Sequence, residues 1–489
     1  MKYFKSLILL LTLTFLTTSC FEDGDDIVVT ASEINDFVWK GMNAFYLYKE
    51  NIPNLANDRF SSNQDYADYL NSFSKPEDLF ESLIYERETV DRFSWIVDDY
   101  IALEQLFSGI TTSNGMEFKI FRFSSTDTDI YGFVTHVLPN SDAASKGVKR
   151  GDIFYGIDET QLTINNYVSL LSQKNYTINL GSYNDNNTPN DSNDDFITQS
   201  PQSTPLSKSQ YTENPIFINS ILDVAGTKIA YLMYNSFTGT EQFNAELNDT
   251  FGTFKNANAT ELVLDLRYNP GGSVNTAIML SSLVTGQFDG DVFSTEQWNS
   301  ELQQAFQNED PELLINRFVN NNEGTPLNSL NLSRVYVLTT SSSASASELV
   351  INSLKPYIDV VQIGTTTTGK YQASTTLYDS PNFRRSGANP GHTYAMQPLI
   401  FKSLNANGVT DYFDGLSPET GNVLSESINN LGVLGDINEP LLAAAIAKIT
   451  GTGRSINEKA TSVDFIGDSK DLIPFSKGMY TNKKLPTGL

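Results

Sequence analysis

The sequence predicts an α/β protein whose core is preceded by a helical region and a small β domain. Three observations carry this. From about residue 215 to 451, short β-branched runs ("KIAYLMYNSF", "ELVLDLRYNPGG", "RVYVLTT", "VVQIG") alternate with helical stretches, the pattern of strands buried beneath helices. Residues 115–180 instead alternate with period two in "MEFKIFRF" and "IYGFVTHVL". Residues 31 to about 108 show a helical stripe in which Phe37, Met42, Phe45 and Tyr48 recur at three-to-five-residue spacing, the signature of a core-facing helix. The resulting organisation is a helical region at 31–110, a β domain at 111–182, a disordered linker or loop at 183–212, rich in Asn, Asp, Ser and Pro, an α/β core at 213–451 and a tail at 452–489.

The two ends of the charge and hydropathy pattern point to an exported protein. Lys2 and Lys5 precede "LILLLTLTFL", too short for a permanent membrane span and suited to the core of a signal peptide over residues 1–20. The chain's one cysteine, Cys20, follows in "TTSC", where a bacterial lipoprotein signal is cut and its thiol lipidated, although Thr17 stands where such signals usually carry Leu. The acidic stretch "FEDGDD" then forms a tether across 21–30 and resembles that of Bacteroidetes-type surface lipoproteins. This implies an outer-membrane anchor facing the periplasm or the cell surface. With one cysteine the chain has no intrachain disulfide. The formal net charge of -26, from 58 acidic against 32 basic residues, argues against a nucleic-acid partner.

Within the β domain, "NSDAASKGVKRGDIFYGID" reads as a short helix, a glycine turn and a strand. This order resembles a PDZ domain of the bacterial protease-associated type. The resemblance implies binding of peptide C-termini by strand addition, with a backbone nest for the carboxylate at "GMEF", Gly115, Met116, Glu117 and Phe118.

The chemistry-bearing stretches lie in the core. "SSSASASEL", residues 341–349, reads either as a flexible serine-rich loop or as the start of a helix in which Glu348, Leu349, Ile351 and Leu354 have helical spacing. A serine there serves as an N-cap or as a nucleophile beside a free backbone N–H. "LVLDLRYNPGG" is a buried strand entering a two-glycine turn and a helix, where outward N–H groups suit an anion. No Walker lysine follows, which favours an oxyanion over a phosphate. Neither an HExxH nor a G-x-S-x-G stretch is present, and the two histidines, His136 and His392, give weak support to a triad. Lys370, in "TTTTGKYQAS" after the next strand, serves as a base if burial keeps it neutral near pH 7. Nothing in the sequence indicates a metal or another cofactor.

"DLRYNPGG", "SASASE" and "TTTTGKYQ" follow in the order and spacing of the carboxyl-terminal processing peptidases, or tail-specific proteases, which the chain resembles over most of its length. "FDGLSPE", residues 413–419, resembles a late turn of that family. The resemblance implies a core like that of the crotonase and Clp protease superfamily. It implies a Ser-Lys dyad of Ser345 and Lys370, 25 positions apart, an acyl-enzyme, and an oxyanion held by the N–H of Ala346 and of Gly271 or Gly272. Ser347 and Glu348 are then structural residues of the first helical turn. Two positions depart from the family: Ser374 stands where an orienting glutamine is usual, making Gln372 the substitute, and Pro356 stands where many members have Asp. The expected function is a serine endopeptidase acting on proteins or peptides with free C-termini. The alternatives are a catalytically silent peptide-binding lipoprotein and a Ser-Lys hydrolase of an ester or β-lactam; the S-x-x-K spacing of the latter is absent around Ser345.

Overall fold

The computed structural model describes residues 31–188, 194–452, 463–473 and 475–483. The predicted signal peptide, Cys20 and the tether lie outside the described residues. Among the described residues no helix is long and apolar enough to cross a membrane.

Helix α1 (Ala31–Phe45) buries Ile34, Phe37, Val38, Met42 and Phe45 on one face, against α2 (Asn63–Asn71) and α3 (Pro76–Ser82). The buried Asn35 amide donates to the carbonyls of Leu70 and Phe73, tying α1 to the end of α2. This helical layer shares one apolar core with the α/β unit. Its stripe was readable because large apolar groups spaced at helical period must find a common surface.

The β domain is an antiparallel sheet of β1 (Met116–Arg122), β2 (Tyr131–Val137), β3 (Ile153–Ile157), β4 (Asn175–Asn184) and β5 (Phe196–Ser207), in that spatial order. The predicted linker at 183–212 is therefore corrected. Most of it is strand, paired with β4 from Asn175↔Ser207 to Asn184↔Phe196, and Ser209–Thr212 pairs with Ile110–Ser113. A two-stranded ribbon facing solvent needs backbone pairing more than apolar side chains. Only Ile197 and Leu206 of β5 are buried hydrophobics, so no periodic signal marks it.

In the core, β6 (Ile216–Val224) pairs antiparallel with β7 (Thr227–Tyr234). Then β7, β8 (Glu261–Asp265), β11 (Arg334–Thr339) and β12 (Asp359–Gly364) run parallel as neighbours. Helices α4 (Glu241–Asn256), α5 (Val274–Thr285), α6 (Ala346–Leu354) and α7 (Pro440–Thr450) cover the sheet's faces. A second sheet aligns, as spatial neighbours, β9 (Gly272–Ser273), β16 (Met479–Tyr480), β13 (Gln372–Ser374), β14 (Leu399–Leu404) and β10 (Val292–Trp298). The predicted tail is a second correction. Beyond the residues left undescribed, β15 (Asp464–Asp468) adds to the edge of β1, and β16 lies between β9 and β13. Strands of five and two residues are too short for periodicity to reveal.

A buried ionic cluster joins the β domain to the core. Arg267 contacts Asp265, Glu439 and Glu426. Arg150, from the "GVKRGDI" turn, reaches Glu426 at 3.0 Å and Tyr268 at 2.7 Å, and Lys119 of β1 lies 3.6 Å from Glu426. Burial works to raise the Glu426 pKa, but Arg150, Lys119 and Arg267 overcome it and hold the group well below the usual carboxylate range. Arg267→Met removes the cation and strands two buried carboxylates. We expect a loss of about 3–5 kcal/mol of unfolding free energy in urea titrations; a loss near zero would mean that the cluster is held by packing instead.

Candidate active site

The serine-rich stretch is buried from Ser342 onward, and the hydroxyls of Ser343 and Ser347 are staples. Strand β11 delivers it beside the turn that follows β8. Ser343 Oγ donates to Leu266 O at 2.8 Å, Ser347 Oγ to Asn269 O at 3.1 Å, and Thr340 Oγ1 to Arg267 O. Ala344 N–H donates to Asn269 O at 3.1 Å. This lacing rules out the flexible-loop reading of residues 341–349 and sets the two predicted turns side by side.

Ser345 differs from its neighbours in three ways. Its backbone is left-handed, with φ of 65° and ψ of -113°, a strained conformation for a residue with a Cβ. Its Oγ is fully buried and makes no hydrogen bond. A Cβ on Gly271 would stand 2.5 Å from Ser345 Cβ, so only glycine permits this approach. Gly271 has φ of 115° and Gly272 φ of 136°, both in the region that favours glycine.

Lys370 lies in the turn between β12 and β13, and β12 is the neighbour of β11, the strand that leads to Ser345. Burial, opposed by the nearby carboxylates of Asp91 and Glu348, brings its amine down to about 7. The amine sits 4.9 Å from the Phe93 ring centroid and 5.5 Å from that of Phe475. In this arrangement Nζ donates to Lys477 O at 2.9 Å.

One carboxylate binds both backbones. Glu348 Oε2 accepts from Ser345 N–H at 2.7 Å and from Lys370 N–H at 2.8 Å. Its Oε1 accepts from Gly369 N–H at 2.6 Å and from Thr367 Oγ1. Burial raises its pKa to about 7 against the opposing pull of these donors. The predicted first-turn role of Glu348 is thus real but incomplete, since the side chain also fixes the Lys370 turn. The "FDGLSPE" stretch packs on the same turn: Leu416 N–H donates to Thr367 Oγ1, and Thr367 N–H to Leu416 O. A Cβ on Gly369 would meet Phe413 O at 1.9 Å.

Other predicted residues stand as follows. Ala346 opens α6, so its N–H has no partner within the helix. Gly271 N–H is engaged by Asn269 Oδ1 at 2.9 Å, and Gly272 is paired with Met479 of β16. Gln372 does not hold the lysine amine; it donates to Tyr48 OH at 2.8 Å. Ser374 Oγ donates to Met479 O at 3.1 Å, and Pro356 follows the C-cap of α6, Lys355. His392 is paired with Asp379 at 2.9 Å, and His136 lies against Asn235 and Tyr268, held neutral by burial; none of these contacts joins Ser345 or Lys370. In the "GMEF" loop, Gly115 N–H is taken by Ser113 Oγ, Met116 N–H by Asn114 Oδ1 and Phe118 N–H by Ser469 Oγ. Its nest is therefore filled by the chain's own side chains. Among the described residues no group of three or more His, Cys, Asp or Glu is placed to hold a metal ion.

Sequence reasoning missed the contribution of the helical region. Asp91 is buried, accepts from Tyr46 OH at 2.7 Å and from Phe93 and Ser94 N–H, and so presents Phe93 to Lys370. Arg92 donates to the carbonyls of Thr368, Gly369 and Phe413. "VDRFSW" contains no local signal of this.

Residues 228–384 match Peptidase family S41, and residues 33–95 match the Peptidase S41 N-terminal domain. The chain carries the domains of peptidase family S41. The fold is similar to that of a Bacteroides fragilis NCTC 9343 protein designated an S41 protease, at 24% identity and a TM-score of 0.63, over 86% of this chain and 98% of that one. The photosystem II D1 C-terminal processing protease aligns at 16% identity and a TM-score of 0.48, over 85% and 97% of the two chains. Mature CPAF aligns at 12% and 0.45, over 89% and 99%. No curated protein matches the sequence.

An S41 domain implies a serine peptidase, and Glu348 offers a direct check of how this site is held. In Glu348→Gln one oxygen and two new N–H groups face four converging donors. Each donor left unpaired costs roughly 1–3 kcal/mol. We expect a lower unfolding free energy together with at least about 10-fold slower modification of Ser345 by a fluorophosphonate. Unchanged stability and reactivity would show that the two turns hold their positions without it.

Proposed function

We propose that the protein is a serine endopeptidase with a Ser345–Lys370 dyad. The observation that carries this reading is the pair of turns held by Glu348, with a buried lysine whose amine is drawn down to about 7. A neutral Lys370 accepts the Ser345 hydroxyl proton as Oγ attacks a peptide carbonyl. The new C–O bond gives a tetrahedral oxyanion that the N–H groups of Gly272 and Ala346 stabilise. Collapse expels the amine, which takes the proton from Lys370, and leaves an acyl-enzyme. Water, deprotonated by Lys370, then releases the acid and restores Ser345. Ser345 Oγ and Lys370 Nζ are not hydrogen-bonded here; such bonds often tighten only with substrate in place.

The β domain is read as PDZ-like, recruiting peptide C-termini by strand addition to β1. What supports this is the antiparallel order, the addition of β15 as a strand alongside β1, and the glycine turn carrying Arg150. The protein is further proposed to be exported and anchored to the outer membrane through Cys20. A second reading, a silent peptide-binding lipoprotein, draws on the enclosed Ser345 Oγ, which has no hydrogen-bond partner.

The test is hydrolysis of an unfolded protein by the soluble chain lacking residues 1–20, compared with Ser345→Ala and Lys370→Ala, across pH 6 to 10. A base must be unprotonated, so turnover should fall as pH drops through about 7 and be abolished in both variants. A limb near 10, the ordinary lysine range, would contradict the lowered amine, and turnover surviving Lys370→Ala would remove the lysine from its role. Peptide binding without turnover would favour the silent reading.

A further inference from the structure

The described C-terminal residues 464–473 and 475–483 thread the region where a peptide substrate would lie, and they are held there at three levels. First, β15 adds to the free edge of β1, with Asp464↔Arg122, Phe465↔Phe121, Gly467↔Ile120 and Asp468↔Lys119 in register. Second, a buried charge anchor follows: Lys470 Nζ lies 2.8 Å from Glu213 and 3.7 Å from Glu117. Ser469 Oγ donates to Glu117 and accepts from Phe118 N–H, and Ser342 Oγ donates to Asp468 at 2.8 Å. Third, residues 475–481 cross the cleft. Phe475 and Tyr480 pack with Leu103 and Phe107. Lys477 O takes the Lys370 amine. Gly478 O lies against Gly271, where a Cβ would meet it at 3.0 Å.

The cleft portion is a strand addition. Met479 and Tyr480 pair parallel with Gly272 and Ser273 on one side, and Tyr480 pairs parallel with Ser374 on the other. Thr481 N–H donates to Ser374 O at 3.0 Å, and Thr375 Oγ1 donates to Thr481 O at 3.0 Å. Gly272 is a proposed oxyanion donor, and β13 follows directly from Lys370. An extended backbone between these two strands occupies the space that a scissile peptide needs. It also explains why Ser345 Oγ has no exposure and why Lys370 bonds a peptide carbonyl instead of the serine.

We infer that residues 464–483 are an intramolecular competitor for the peptide track, which a substrate must displace from both the β1 edge and the β9–β13 gap. This rests on the peptidase reading above and adds its regulation. The track takes an extended peptide whose backbone is paired on both sides, with an aromatic side chain favoured where Tyr480 sits. Because the competitor is covalently attached, its local concentration is high. Access to Ser345 then scales with the fraction of molecules in which the segment is open.

The experiment measures the rate of Ser345 modification by a fluorophosphonate, read by intact mass, in the full-length protein in detergent micelles. It is compared with the Phe475→Ala/Tyr480→Ala variant, which keeps the β15 pairing and the Lys470 anchor. We expect modification at least about 10-fold faster in the variant, and return toward the slow rate on adding a synthetic peptide of residues 464–483. Equal rates in a folded variant, or a slower rate, would overturn the competitor while leaving the peptidase reading intact. Absence of modification in both forms, with Ser345 exchanged for Cys also unreactive toward iodoacetamide in the variant, would overturn both.

Discussion

Everything in the site depends on the Glu348 carboxylate. Ser345 and Lys370 arrive from different strands and sit on turns with little regular structure of their own. Parallel strands β11 and β12 bring the turns to the same end of the sheet, where α/β proteins place ligands. Adjacent strands fix positions only to within a turn's freedom, however. A buried carboxylate accepting from Ser345, Gly369 and Lys370 N–H and from Thr367 removes that freedom. Its place in the first turn of α6 is electrostatically favourable, since the helix N-terminus carries partial positive charge. The left-handed Ser345 and the close Gly271 are then consequences of a fixed frame.

A second frame surrounds the first. The helical region presents Asp91, Arg92 and Phe93 to the lysine turn, and the β domain is hooked through Arg150 and Lys119 to the segment that precedes the glycine turn. Motion of the β domain would be felt at residues 266–272, because Tyr268 bonds Arg150 and Arg267 O bonds Thr340. The C-terminal segment spans both frames, with its anchor on β1 and its end between β9 and β13.

Much of this was legible in the sequence, for reasons that differ by region. The stripe of α1 and the buried runs of β7, β8, β11 and β12 are long enough for their period to declare them. Ser345, Lys370 and the two glycines were singled out through the resemblance to the carboxyl-terminal processing peptidases, and the structure brings their turns together. Three things were hidden. The β5 ribbon and the C-terminal strands are stabilised by backbone pairing with partners hundreds of positions away or by solvent-facing pairs, so their side chains carry little pattern. The partner of the lysine amine is a backbone carbonyl, Lys477 O, which has no sequence signature at all. Gln372 was chosen by proximity along the chain, but it donates to Tyr48, a residue of the helical layer that a linear reading could not bring near.

The central claim is that one serine in a serine-rich stretch is chemically distinct because of how it is held. Peptide mapping after fluorophosphonate treatment of the Phe475→Ala/Tyr480→Ala variant tests it most directly. The account predicts a single adduct on Ser345, with Ser341, Ser342, Ser343 and Ser347 unmodified and no adduct on Ser345 after Lys370→Ala. An adduct on a neighbouring serine, or labelling of Ser345 that is indifferent to Lys370, would contradict it.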